Sequence, residues 1–174
     1  CKMLNMAVKK EKGELEMEET FETTVDIPIS AYIPDSYIRN EAERMEIYKR
    51  IAAVENEEES MDMIDELIDR FGTVPKSVTN LLEVSILRAE AHSLYIKEIK
   101  ANKTEVRLFM HPRAKFDTMR VPDLIASYRG ALRLLDKDNP YFLLRAGDGA
   151  IREKTLDLKI LKNLLSNIKT LIVS

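Results

Sequence analysis

The chain of 174 residues and 20.0 kDa is 45% hydrophobic and 33% charged, enough to bury a core of its own as one domain, or one with an appendage. A formal charge of -3 gives no global basic field toward nucleic acid or an anionic membrane, so any such contact must be local. The longest apolar runs, Ile51 to Val54 and Tyr141 to Leu144, are four residues each, far short of the roughly twenty that a membrane-spanning helix needs.

Leu4, Ala7 and Val8 recur at helical spacing up to Gly13, which predicts a short helix. A chain that begins inside a helix without an initiator methionine reads as a fragment. From Phe21 the period changes to two, with Phe21, Thr23, Val25, Ile27 and Ile29 on one side of a strand. Pro28 cannot donate to a ladder, so this strand lies at an edge or ends near that point. Three helices follow. Asn40 caps the first, with Glu43 as capping-box partner and an apolar face of Met45, Tyr48 and Ala52 flanked by Ile47 and Ile51. Ser60 caps the second, whose stripe is Met61, Ile64, Leu67, Ile68 and Phe71, with Gly72 as its exit. The third, residues 76 to 96, starts at Pro75 and is apolar around most of its circumference, so it is the central helix. Strands 96 to 101 and 105 to 110 form one hairpin across Asn102-Lys103-Thr104; strands 131 to 135 and 141 to 145 form another across residues 136 to 140. Between them, residues 121 to 128 make a short helix, and 145 to 149 a mobile loop. A long amphipathic helix, 151 to 172, ends the chain, with Leu161, Leu164, Leu165 and Ile168 on its stripe. The class expected is α+β: several helices packed with a small, mainly antiparallel sheet and a long C-terminal helix.

Motifs for chemistry are missing. There is no phosphate-cradling glycine loop, and neither His92 nor His111 stands at metal-ligand spacing, so no metal and no bound cofactor are expected. The lone Cys1 forms no internal disulfide, and the start lacks secretory or transit character, which makes a soluble cytoplasmic protein the default. Two charge biases stand out. Between Glu55 and Asp69 lie eight acidic residues and no Lys or Arg. On the second helix Asp62, Asp65, Glu66 and Asp69 share one stripe and repel by roughly a few tenths of a kcal/mol per pair. Glu66 and Asp69 also sit toward the helix C-terminus, where the macrodipole disfavours anions; a basic partner would relieve both effects, and Arg70 adds a donor beside them. Residues 97 to 120 hold seven Lys or Arg against three acids, with Phe109 and Phe116 for stacking.

The stretches Ala31-Tyr32-Ile33-Pro34-Asp35-Ser36-Tyr37-Ile38, Arg44 with Ile47-Tyr48-Lys49-Arg50-Ile51-Ala52, and Glu66-Leu67-Ile68-Asp69-Arg70-Phe71-Gly72 with Pro75 resemble the C-terminal domain of bacterial transcription-repair coupling factors. Lys2 to Val8 also looks like the end of the helix that leaves that family's DNA-translocase motor. The resemblance implies residues 1 to 19 as motor-exit helix and linker, and 20 to 174 as a non-catalytic regulatory domain. In the family this domain clamps onto an N-terminal module similar to UvrB and masks the UvrA-binding surface until the motor engages stalled RNA polymerase. By motif, the clamp maps onto Glu66, Asp69 and Arg70, with Asp62 and Asp65 on the same face. ATP, DNA and RNA polymerase then belong to the full-length protein, UvrA is met only by masking, no membrane is involved, and the fragment is a monomer. Two other expectations stay open: a nucleic-acid or polymerase contact through residues 97 to 120, and a hydrolase using Asp and Glu pairs.

Overall fold

Helix α3 (Lys76–Ser93) is apolar on two opposite sides, and the two cores of the described residues are built onto them. The computed structural model describes residues 21–173; the expected first helix and Cys1 lie outside them. Before α3 come strand β1 (Thr24–Asp26) and helices α1 (Glu41–Ala52) and α2 (Glu57–Phe71). After it come β2 (Ile96–Ala101), β3 (Glu105–Met110), α4 (Val121–Ser127), β4 (Leu132–Leu135), β5 (Tyr141–Arg145) and α5 (Leu158–Lys169). Val78, Leu82 and Ile86 of α3 join one core with Ile47 and Ile51 of α1, Met63 and Leu67 of α2, and Ile33 and Ile38. Leu87, Ala91 and Leu94 join a second core made by α5 and the inner side of the sheet.

The sheet runs β1-β2-β3-β5-β4. Both expected hairpins form, and β3 and β5 pair antiparallel in the middle. β1 pairs parallel to β2, because its connection passes through three helices instead of a tight turn. It lies at the sheet edge and ends at Asp26, before Pro28. The fold is α+β.

Several local expectations are corrected. The strand expected from Phe21 to Ile29 keeps ladder pairing only over Thr24–Asp26; Phe21 instead stacks between the rings of His92 and His111, each 4.4 Å away. His111 takes a turn role, its Nδ1 accepting from Arg113 N at 3.1 Å. Helix α2 is capped by Asn56, whose Oδ1 accepts from Glu59 N at 2.9 Å, while Glu59 Oε1 accepts from Glu55 N. Ser60 lies inside the helix and is buried. The buried face of α2 is therefore Ser60, Met63 and Leu67, leaving Met61 64% and Ile68 50% exposed. In α1 the burial centres on Ile47 and Ile51, with Met45 52% exposed. Asn40 does cap α1, but the Glu43 carboxylate turns to Arg70. Helix α3 stops at Ser93, and Tyr95 at φ 61 turns the chain into β2.

The C-terminal helix is three turns long. Asp157 accepts from Ile160 N and starts it at Leu158, so residues 151–157 form no helix. Its stripe Leu161, Leu164, Leu165 and Ile168 covers the inner side of the sheet. The turn after β5 is packed at its far end: a Cβ on Gly149 would stand 2.3 Å from the Arg129 carbonyl oxygen, at φ +49. Because α3 belongs to both cores, Leu82→Ala and Leu87→Ala should each lower stability by about 2–5 kcal/mol within a single urea transition. Separate transitions for helical and sheet signals would contradict this coupling.

Candidate functional site

The three sequence stretches that carry the family resemblance meet in space. The Ile33 amide donates to the Tyr48 hydroxyl at 2.8 Å, tying residues 31 to 38 to α1. The Tyr37 hydroxyl reaches the carbonyl oxygens of Gly72 at 2.9 Å and Leu67 at 3.2 Å, satisfying the C-terminal end of α2. Burial pushes the Tyr37 phenol up, which keeps it the protonated donor. Arg44 donates to the Ile38 carbonyl at 2.8 Å and pairs with Asp35 at 3.6 Å. These contacts fix α2 beside α1, and the result is a charge network along their seam.

Glu66 is its centre. Arg50 from α1 donates to both carboxylate oxygens, with Nη2 to Oε1 at 2.6 Å. Arg70, one turn along α2, donates to Glu66 Oε2 at 3.2 Å and to Glu43 Oε2 of α1 at 3.3 Å. The Arg70 guanidinium also stands 4.9 Å over the Phe71 ring. The Arg50 hydrogen bonds above all, helped by Arg70, hold the Glu66 carboxyl down to about 2. Glu66 thus finds inside the domain the cation that its place near the helix end demands. A carboxyl held so low is unsuited to general-acid chemistry, so the hydrolase expectation draws no support from it.

The other acids face outward. Asp62, Asp65 and Asp69 are exposed, and among the described residues none has an ion pair. They form a negative ridge on α2, bordered on the α1 side by Arg70 and on the other by the exposed Met61 and Ile68. The sequence-derived set therefore divides: Glu66 and Arg70 belong to the seam, and Asp62, Asp65 and Asp69 to the ridge. Arg50 and Glu43 were missed. Arg50 lies within the Ile47-to-Ala52 stretch, but its pairing depends on helix-to-helix register, which helical periodicity does not report.

The basic segment 97 to 120 is dispersed. Phe116 packs edge-on against the buried Phe142 at 5.8 Å, so it belongs to the core side instead of a stacking surface. Arg120 pairs with Asp117, and Lys97 donates to Asn139. Among the described residues, no three His, Cys, Asp or Glu side chains gather as a metal site, and no helix is long and apolar enough to cross a membrane.

Residues 27–121, which contain every stretch of the seam, match the family model described as TRCF domain. The chain belongs to the TRCF domain family. It is 38% identical over 112 residues to the transcription-repair-coupling factor of Bacillus subtilis, covering 64% of this chain and 10% of that protein. It is 40% identical over 94 residues to the factor of Staphylococcus aureus strain USA300, covering 53% and 8%. The chain thus spans about a tenth of the length of these relatives. A crystal structure of the C-terminal domain of a transcription-repair coupling factor superposes with a TM-score of 0.60, covering 87% of this chain and 98% of that one. At 22% identity this likeness shows the fold alone.

Within the TRCF domain, the Arg50–Glu66 pair has side chains 41% and 34% exposed, so it contributes about a kcal/mol or less. Because the folded Glu66 carboxyl lies below its ordinary 4.5, that contribution is fully present above about pH 4.5 and is lost as pH falls toward about 2. Urea unfolding of wild type and Glu66→Gln should show the wild-type advantage at neutral pH and its shrinkage across this window. An advantage independent of pH would refute the ionised Glu66 network.

Proposed function

We propose that residues 20–174 form a non-catalytic regulatory domain from the C-terminal part of a transcription-repair coupling factor, acting as an autoinhibitory clamp. The observation that carries this reading is the ridge of Asp62, Asp65 and Asp69, exposed and, among the described residues, without ion pairs, beside Arg70 on the Glu66-to-Gly72 helix end. Such a ridge suits a basic surface, and the UvrB-like module of the same protein is the partner proposed for it. Docking there masks the UvrA-binding surface. The ATP-driven motor, DNA and RNA polymerase act through the remaining nine tenths of the protein, and motor engagement releases the clamp.

The energetics support a switch. Partly exposed charge pairs contribute about a kcal/mol or less each, so a few of them make a contact that a competing ligand can break. The seam adds a condition: a partner cation that approaches Glu66 competes with Arg50, which already satisfies both carboxylate oxygens. Among the described residues, Asp69 carries no such competitor. The ridge aspartates therefore supply most of the attraction, while Glu66 and Glu43 position Arg70.

Calorimetric titration of the chain with the separately produced UvrB-like module tests this. Asp62→Lys and Asp69→Lys disturb no ion pair within the described residues and should each weaken binding about tenfold, the equivalent of ~1.4 kcal/mol. The weakening should diminish as salt rises. Arg50→Met frees Glu66 and should tighten binding. Equal affinity in all four proteins would place the contact on another face and overturn the assignment.

A further inference from the structure

The side of the sheet away from α3 and α5 is used by neither core nor by the α2 ridge. Along β3, Val106, Leu108 and Met110 are buried in the core, while Glu105, Arg107 and Phe109 alternate onto the other side. The register extends this into rows across strands far apart in sequence. One row runs Glu98, Phe109, Tyr141, Leu135; the next runs Lys100, Arg107, Leu143, Arg133; Glu105 and Arg145 continue beyond it. Phe109 and Tyr141 make a ring pair with centroids 5.1 Å apart. Leu143 is only 4% exposed yet belongs to neither core, lying between Arg107 and Arg133 in the register. Its neighbours in the row carry long cationic stems, of the kind that lie along an apolar centre while their charged ends stay in water.

Acids are present on the same face. Asp26 and Glu98 share the face, and Glu105 is engaged by Arg107 at 3.3 Å and Arg145 at 3.1 Å. Against these three carboxylates the face carries Lys100, Arg107, Arg133 and Arg145, a surplus of one positive charge. Lys100 and Arg133 are exposed and, among the described residues, have no ion pair. The face therefore sets an aromatic row beside a cationic row about 7 Å away, two residues along each strand. That separation is comparable to the reach from a base, through its sugar, to its phosphate.

We infer that this face binds single-stranded nucleic acid, unpaired bases stacking on Phe109 and Tyr141 and phosphates pairing with Lys100, Arg107, Arg133 and Arg145. Stacking on ring faces is tolerant of sequence and requires unpaired bases, which favours a single strand over a duplex. An acidic polypeptide would use the cationic row but gain little from the rings. The site is independent of the clamp, lying on a different element and carrying the opposite charge. It draws Tyr141, Arg133 and Arg145 from outside the 97 to 120 segment and omits Phe116.

The test is fluorescence anisotropy of a labelled oligothymidylate of about 15 nucleotides with the whole chain. Binding should exceed that of a duplex of equal length and weaken as salt rises. The double variant Lys100→Glu with Arg133→Glu should lose about tenfold or more, and Lys49→Glu, an equal kind of charge reversal on α1, should lose little. Tyr141→Leu, which keeps an apolar side chain and removes the ring, should reduce the preference for single strands. If the chain does not bind the oligonucleotide, or if Lys49→Glu costs as much per charge as the sheet variants, the inference fails. Binding of polyglutamate but not of the oligonucleotide would assign the face to an acidic protein instead.

Discussion

Helix α3 has to be buried on two sides at once, and this requirement organises the molecule. A helix whose apolar positions cover most of its circumference needs partners all round. Here α1 and α2 cover Val78, Leu82 and Ile86, while the sheet and α5 cover Leu87, Ala91 and Leu94. With α3 supporting both layers, the two surfaces of interest are held on opposite parts of one body. The acidic ridge lies on the helical side, and the cationic and aromatic rows lie on the far face of the sheet.

The seam between α1 and α2 shows how a family motif holds two helices together. Tyr37, Tyr48 and Arg44 use side-chain hydrogen bonds to fasten residues 31 to 38 across the two helices. That fastening brings Arg50 to Glu66 and Arg70 between Glu66 and Glu43. The like-charge repulsion expected on α2 is thereby relieved at Glu66 from within. It remains at Asp62, Asp65 and Asp69, and the residual repulsion is what a basic partner would remove. A contact built from such surface charges would be weak, as the proposed clamp requires.

Much of the fold was legible where one physical signal dominates. The two hairpins announce themselves by period-two alternation and turn residues, and β2–β3 begins and ends as read. Errors arise where two signals compete. In α2, a stripe through Met61, Ile64 and Ile68 fits helical spacing as well as the buried set Ser60, Met63 and Leu67, and only packing against α1 and α3 separates them. Asn56 followed by Glu59 is itself a capping pair, obscured by the acidic run around it. At the C-terminal end the leucine spacing is real, yet Asp157 starts the helix at Leu158, seven residues later than periodicity alone suggests. The candidate site was half legible: the motif pointed to Glu66, Asp69 and Arg70 at the α2 end, whereas Arg50 and the sheet rows depend on register between elements, which no single-element pattern contains.

The most direct measurement is the change in amide chemical shifts when the isotopically labelled chain is mixed with the unlabelled UvrB-like module. Shifts concentrated at Asp62, Asp65, Asp69 and Arg70, with the Arg50 and Arg70 side-chain resonances moving together and the sheet unaffected, are the predicted result. Shifts confined to the sheet or to α5, with α2 unchanged, would contradict the acidic ridge as the docking surface.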